Sequence, residues 1–172
     1  MHVQLKLRLD CRADAAWRAL QSPAVMRETA GPWLGYASLE REGFPSHWDP
    51  GDHPVRILAA GALPVGSQRI HISLDTDRHP GVRMVRDDGS ATGGVPAVFR
   101  RWYHRMAVSP HPDDPEATLF RDRLEFDAGP ANLAVWPGMW ALWQWRGLRL
   151  QQLAPSFDEE RTTEPQPEDA AA

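Results

Sequence analysis

Residues 134–150 read AVWPGMWALWQWRGLRL and place Trp136, Trp140, Trp143 and Trp145, four of the chain's eight tryptophans, within ten positions. On a helical wheel Trp136, Trp140, Trp143, Gly147 and Leu150 fall on one stripe, Met139 lies beside it, and Trp145 points away. An indole is costly to leave in water, so the stripe faces a packed core, a membrane or a small ligand. The apolar run from Ala131 to Trp143 is about a dozen residues, broken by Asn132, Pro137 and Gly138, against the roughly 20 that a membrane span needs. The stretch therefore predicts an amphipathic covering helix. It starts at Gly129-Pro130 or at Pro137 and is stopped by Pro155.

What the helix covers is read from the residues before it. Val3, Leu5, Leu7 and Leu9 alternate with Gln4, Lys6, Arg8 and Asp10, the period of a half-buried strand. A helix follows, with Asp14 as its expected cap and Trp17 and Leu20 on one face; Pro23 opens a second that runs to about Ala30. Six strand-like segments come next: WLGYASLE (33–40), VRILAAGALPVG (55–66), SQRIHISLD (67–75), VRMVRDDG (82–89), VFRRWYHRMAV (98–108) and ATLFRDRLEFD (117–127). Gly, Pro, Asp and His clusters separate them, as in an antiparallel meander. The expected class is α+β: a curved antiparallel sheet of seven strands wrapped around a long C-terminal helix, with two short helices after strand 1.

A chain of 172 residues can bury a core without metal or disulfides, and 42% hydrophobic with 24% charged residues is ordinary globular composition. A formal net charge of -4 argues against a nucleic-acid partner. Cys11 is the single cysteine, which excludes an intrachain disulfide and fits a cytoplasmic protein. The opening MHVQLKLRLD lacks the apolar core of a signal peptide. Residues 155–172 hold six acidic residues and one arginine and read as a disordered acidic tail behind a single domain over 1–154. Within HWDPGDH, His47, Asp49, Asp52 and His53 are metal-capable, but Pro50-Gly51 marks a turn and no ligand spacing is present, so no metal is expected. No cofactor is expected either, since no phosphate loop or nucleophile elbow occurs.

The order of elements, and the short motifs within it, resemble the helix-grip fold of the START-like (SRPBCC) superfamily, with polyketide cyclase/dehydrase-like bacterial proteins among its members. The motifs are RLDCRADAAWRAL with Trp17, the Ser22-Pro23 step, Trp102, His104 and Met106 on one strand, and Thr118, Phe120, Asp122, Leu124 and Phe126 on the next. The resemblance covers about residues 2 to 154. It implies a cavity between sheet and helix that holds an apolar molecule, and it makes the turn through Ala60, Gly61, Leu63, Pro64 and Gly66 a lip of that cavity.

Strand parity selects the residues that face the helix. Arg100, Trp102, His104, Met106 and Val108 share one face, as do Thr118, Phe120, Asp122, Leu124 and Phe126; both rows are mostly apolar and carry their polar members inward. If Phe120 pairs beside His104, Asp122 lies near Trp102 and diagonal to Arg100 and His104. A carboxylate beside an imidazole can fix its tautomer, the arrangement of a general base, unless the group only satisfies itself within the sheet.

The candidate catalytic residues are therefore His104, Asp122 and Arg100. Candidate ligand-binding residues are Trp102, Met106, Thr118, Phe120, Leu124, Trp136, Met139, Trp140 and Trp143. Binding of a small hydrophobic or aromatic molecule is the leading reading. A polyketide cyclase or dehydrase is the alternative. In a third, the Trp helix lies on a membrane surface with Trp145 exposed beside Arg146 and Arg149. A weak homodimer stays open.

Overall fold

The alternation at the N-terminus is realised in space: in β1 (His2–Leu9), Val3, Leu5 and Leu9 are buried while His2, Gln4 and Lys6 face solvent. The computed structural model describes residues 1–159. After β1 come α1 (Ala13–Leu20), α2 (Pro23–Ala30), β2 (Leu34–Ser38), β3 (Gly51–Ala59), β4 (Leu63–His79), β5 (Val82–Asp87) and β6 (Ser90–Gly94). Next are β7 (Arg101–His111), β8 (Asp114–Asp127), α3 (Asn132–Leu153) and α4 (Ser156–Glu159). Seven strands form one antiparallel path in the order β1-β8-β7-β5-β4-β3-β2, the α+β helix-grip architecture, with β6 paired to β4 off that path.

The eighth strand has a local cause. β5 pairs β4 between Ile72 and His79, and β6 pairs it between Gly66 and Arg69 while β3 holds the other side, so β5 and β6 lie end to end along one edge. The break between them falls at Asp88-Gly89, where a Cβ on Gly89 would stand 1.9 Å from the Arg69 carbonyl oxygen. Two expected boundaries move. The predicted strand 55–66 straddles a hairpin whose turn residues Ala60 (φ 48) and Gly61 (φ 70) are left-handed, the geometry of a tight hairpin turn. Asp14 does not cap α1; it sits in the first turn and pairs with Arg83 at 2.6 Å. Ser22 does cap α2, its hydroxyl accepting from the Val25 N–H ahead of Pro23 in the first turn.

The covering helix α3 packs its C-terminal half closely on β1, because Gly147 has no side chain: a Cβ there would stand 2.9 Å from Leu5 Cδ1 and 3.0 Å from Leu7 Cδ1. Trp143, Gly147 and Leu150 are buried, as the wheel predicts. The first turns depart from it. Val135, Met139 and Leu142 face the cluster of Val3, Leu5, Leu124 and Phe126, whereas Trp136 and Trp140 are 36% and 49% exposed, one position out of phase. The Trp136 indole donates to the His2 carbonyl at 3.0 Å, so it clips the helix to β1 from outside. Trp145 is not the exposed residue that the membrane reading needs: its N–H donates to Gly31 O at 2.7 Å and its ring meets Trp33 edge-on. Among the described residues no helix is long and apolar enough to cross a membrane. Packing continues past the expected domain limit at 154, for Phe157 is buried in the core and the Arg12 backbone N–H donates to Asp158 at 3.1 Å. Most of the predicted acidic tail lies outside the described residues.

Candidate functional site

The hairpin of β7 and β8 carries the polar centre. Its register sets Met106 opposite Asp122 and Leu124 opposite His104, so Phe120 faces Val108 and not His104 as predicted. Parity is unchanged by that difference, and Asp122 remains diagonal to His104. The imidazole Nε2 lies 2.8 Å from Asp122 Oδ1, both side chains being almost fully buried. The Trp143 indole N–H donates to the same oxygen at 2.9 Å, and its ring meets the imidazole edge-on at 5.2 Å. Burial opposes the Asp122 charge, but the charge and hydrogen bond of His104, the Arg146 charge and the Trp143 N–H outweigh it and hold the carboxyl below its ordinary pKa.

A second carboxyl stands on the other side of His104. Asp87, at the end of β5, is its register partner. Asp87 fills the break in the sheet: Oδ1 accepts from the N–H groups of His71 at 3.1 Å and Gly89 at 3.0 Å, and Oδ2 accepts from the Trp102 indole at 3.2 Å. Burial pushes its pKa up, the charge of His104 and these three donors recovering only part. Two carboxyls with oppositely displaced affinities for a proton thus flank one imidazole, a pattern suited to proton transfer.

These groups border a narrow, partly open cavity of about 70 Å³. Its sheet wall is Ile70, Ile72, Trp102, Met106 and Phe120 with His104, Asp87 and Asp122. Leu20, Val25, Met26 and Trp48 close the opposite side, and α3 contributes Arg146, Gly147 and Leu150. The short helices thus form more of the wall than the tryptophan stripe does. Burial also raises the pKa of the Tyr36 phenol at this lining.

Of the predicted residues, Trp102, His104, Met106, Phe120 and Asp122 meet in the cavity. Trp143 lies behind His104 and orients it through Asp122. Thr118 and Leu124 are core residues, the Thr118 hydroxyl donating to Cys11 O at 2.8 Å. Trp136 and Trp140 stand outside the cavity because of the phase difference described above, and Met139 because it packs on the cluster of Val3, Leu5, Leu124 and Phe126. Arg100 is outside as well: its backbone N–H reaches Asp127 O, beyond the inward pairs, and its exposed guanidinium lies over Gly129. Of the metal-capable residues of HWDPGDH, His53 pairs with Glu40 at 3.1 Å and Asp52 with His71 at 2.5 Å. Among the described residues no three His, Cys, Asp or Glu side chains group as metal ligands.

Sequence reasoning missed Asp87, Arg146, Tyr36 and Trp48. Parity could have found Asp87, since the inward Val85 carries it two residues on. The helical wheel could have found Arg146, one turn beyond Trp143.

No family model matches the chain, and no curated protein matches it. Solved structures do. A hypothetical protein of Helicobacter pylori matches with a TM-score of 0.64 at 10% identity over 90% of this chain and 88% of its own. The Zhui aromatase/cyclase of Streptomyces sp. R1128 matches at 0.55 with 16% identity over 94% and 95%. Norcoclaurine synthase of Thalictrum flavum matches at 0.58 with 12% identity over 94% and 96%. At such identities the likeness is one of fold. The curled sheet, the two short helices behind its first strand and the long closing helix are shared with these structures, and this chain has the helix-grip fold.

Proposed function

We propose that the protein binds a small apolar or aromatic molecule in the cavity between the sheet, the two short helices and the C-terminal half of α3. The observation that carries this is an open cleft walled by Trp48, Trp102, Phe120, Met26 and Met106 with few polar groups at its floor. Aromatic walls favour flat guests, and methionines adapt to irregular ones. Titration with the neutral dye N-phenyl-1-naphthylamine is expected to give saturable fluorescence with micromolar affinity. Met106→Trp, which fills the cavity, should abolish the signal while circular dichroism stays unchanged. Saturable binding that survives this substitution would place the dye elsewhere and overturn the reading. The unpaired, buried Cys11 suits a reducing compartment and keeps a cytoplasmic site of action within the same proposal.

One observation favours catalysis of the cyclase or dehydrase type as a second reading. With the imidazole proton on Nε2 and donated to Asp122, His104 Nδ1 keeps a free lone pair, and it has no hydrogen-bond partner among the described residues. Such a nitrogen can accept a proton from carbon next to a carbonyl, leaving an enolate and an imidazolium that Asp122 stabilises, and return it afterwards. Faster deuteration of the methyl group of 2-acetonaphthone in heavy water, followed by NMR and lost in His104→Gln, is the expected result. Exchange no faster than in buffer would leave binding alone.

A further inference from the structure

We infer that the ligand is an anion: a flat apolar body whose carboxylate or other oxyanion is received by Arg146. This deepens the binding proposal above and rests on it. Arg146 lies on α3 among the cavity-lining residues, with its guanidinium carbon 4.9 Å from the centre of the Trp143 ring. That cation–π contact holds the guanidinium against the indole.

Some arginines are engaged by carboxylates, Arg149 by Glu28 at 3.4 Å, Arg105 by Glu125 at 2.7 Å and Arg83 by Asp14 at 2.6 Å; others such as Arg56 and Arg121 have no such partner among the described residues, but none of these lines the cavity. Arg146 has neither an ion pair nor a side-chain hydrogen bond among the described residues, although two carboxyls border the same cavity. Neither bonds it, and Asp122 Oδ1 and both oxygens of Asp87 are taken by other donors. Asp122 Oδ1 holds His104 and Trp143, and Asp87 holds Trp102 and two backbone N–H groups. The Arg146 charge is felt by Asp122 and by the Tyr36 phenol across the lining, without direct contact with either.

A guanidinium beside apolar walls, with its donors unfilled, is matched by a planar oxyanion that takes two parallel N–H bonds. Tyr36 lines the same cavity, and its phenol is a neutral donor. A neutral guest of the same shape would leave those donors without a partner, which is how such a site discriminates.

The test compares 2-naphthoate with 2-naphthamide, equal in shape and different in charge, by isothermal titration calorimetry on the full-length protein. The unaltered protein is expected to bind naphthoate at least about tenfold more tightly, the size of one charge-assisted contact. In Arg146→Met, which keeps an apolar stem on Trp143, the two affinities should converge, through loss for naphthoate alone. Arg146→Lys should restore part of the preference by charge without the fork. Equal binding of both probes by the unaltered protein would overturn the inference and leave the cavity proposal standing. So would a preference that persists in Arg146→Met. Failure of both probes to bind would overturn both. The comparison on the unaltered protein decides the matter even if a variant does not fold.

Discussion

A single oxygen, Asp122 Oδ1, receives both the His104 imidazole and the Trp143 indole inside the sheet. Removing it strands two buried polar groups, so Asp122→Ala should lower the unfolding free energy by about 3 kcal/mol in urea denaturation. An unchanged midpoint would mean that water replaces the carboxylate without cost. The sign of the pH dependence follows from the displaced affinities. Asp122 is held below its unfolded value of about 3.9, so its stabilisation is complete above that pH and is lost as pH falls through the lower folded value. Asp87 runs the other way: its contribution is full below about 3.9 and disappears as pH climbs through the raised folded value. Asp122→Asn should therefore flatten the acid limb of a stability profile, and Asp87→Asn the limb above it. Chemical denaturation across the pH range reads both, and a wild-type-shaped profile in either variant would refute the corresponding assignment.

At the scale of elements, two glycines set distances that side chains would spoil, by different margins. A Cβ at Gly147 meets only the tips of Leu5 and Leu7, which can turn aside, and alanine gains about 1 kcal/mol in helix propensity. Gly147→Ala should therefore leave the melting temperature nearly unchanged, whereas Gly147→Leu overpacks the contact with β1 and should cost about 1–3 kcal/mol. At Gly89 the obstacle is the rigid Arg69 carbonyl, so even Gly89→Ala should destabilise, by at least as much. Thermal melts of the three variants settle the order; Gly147→Ala falling below Gly89→Ala would contradict it.

The same elements explain what could be read in advance. Period-two alternation is local, so β1 and the inward rows of β7 and β8 were legible, and with them the pairing of His104 with Asp122. Register was not, because the hairpin turns at His111 and Asp114, closer to both strands than the composition suggests. Nor was the phase of α3. Its first turns carry Leu133, Val135, Trp136, Met139 and Trp140 around the whole circumference, and only the position of β1 decides which arc is covered. Asp87 was hidden although it lies in the predicted strand 82–89, because the break it fills is made by β5 and β6 pairing end to end with β4 and leaves no mark in that segment.

For the whole molecule, a bound guest should appear as stability. At a ligand concentration of 100 times its dissociation constant the native state gains about 2.7 kcal/mol, which for a domain of this size raises the melting temperature by roughly 5–10 °C. Naphthoate should produce that rise and Met106→Trp should cancel it. Topology bears on how the molecule comes to exist at all. The first strand pairs with the last, Val3 facing Leu124 and Leu9 facing Thr118. Ribosomes deliver Val3 long before Leu124, and the greasy row on β1 has no neighbour until then. Such distant pairings close slowly and leave unfinished chains to chaperones. A stalled nascent chain that ends before Ala117 should thus be cut readily by protease, and one released through residue 159 should resist.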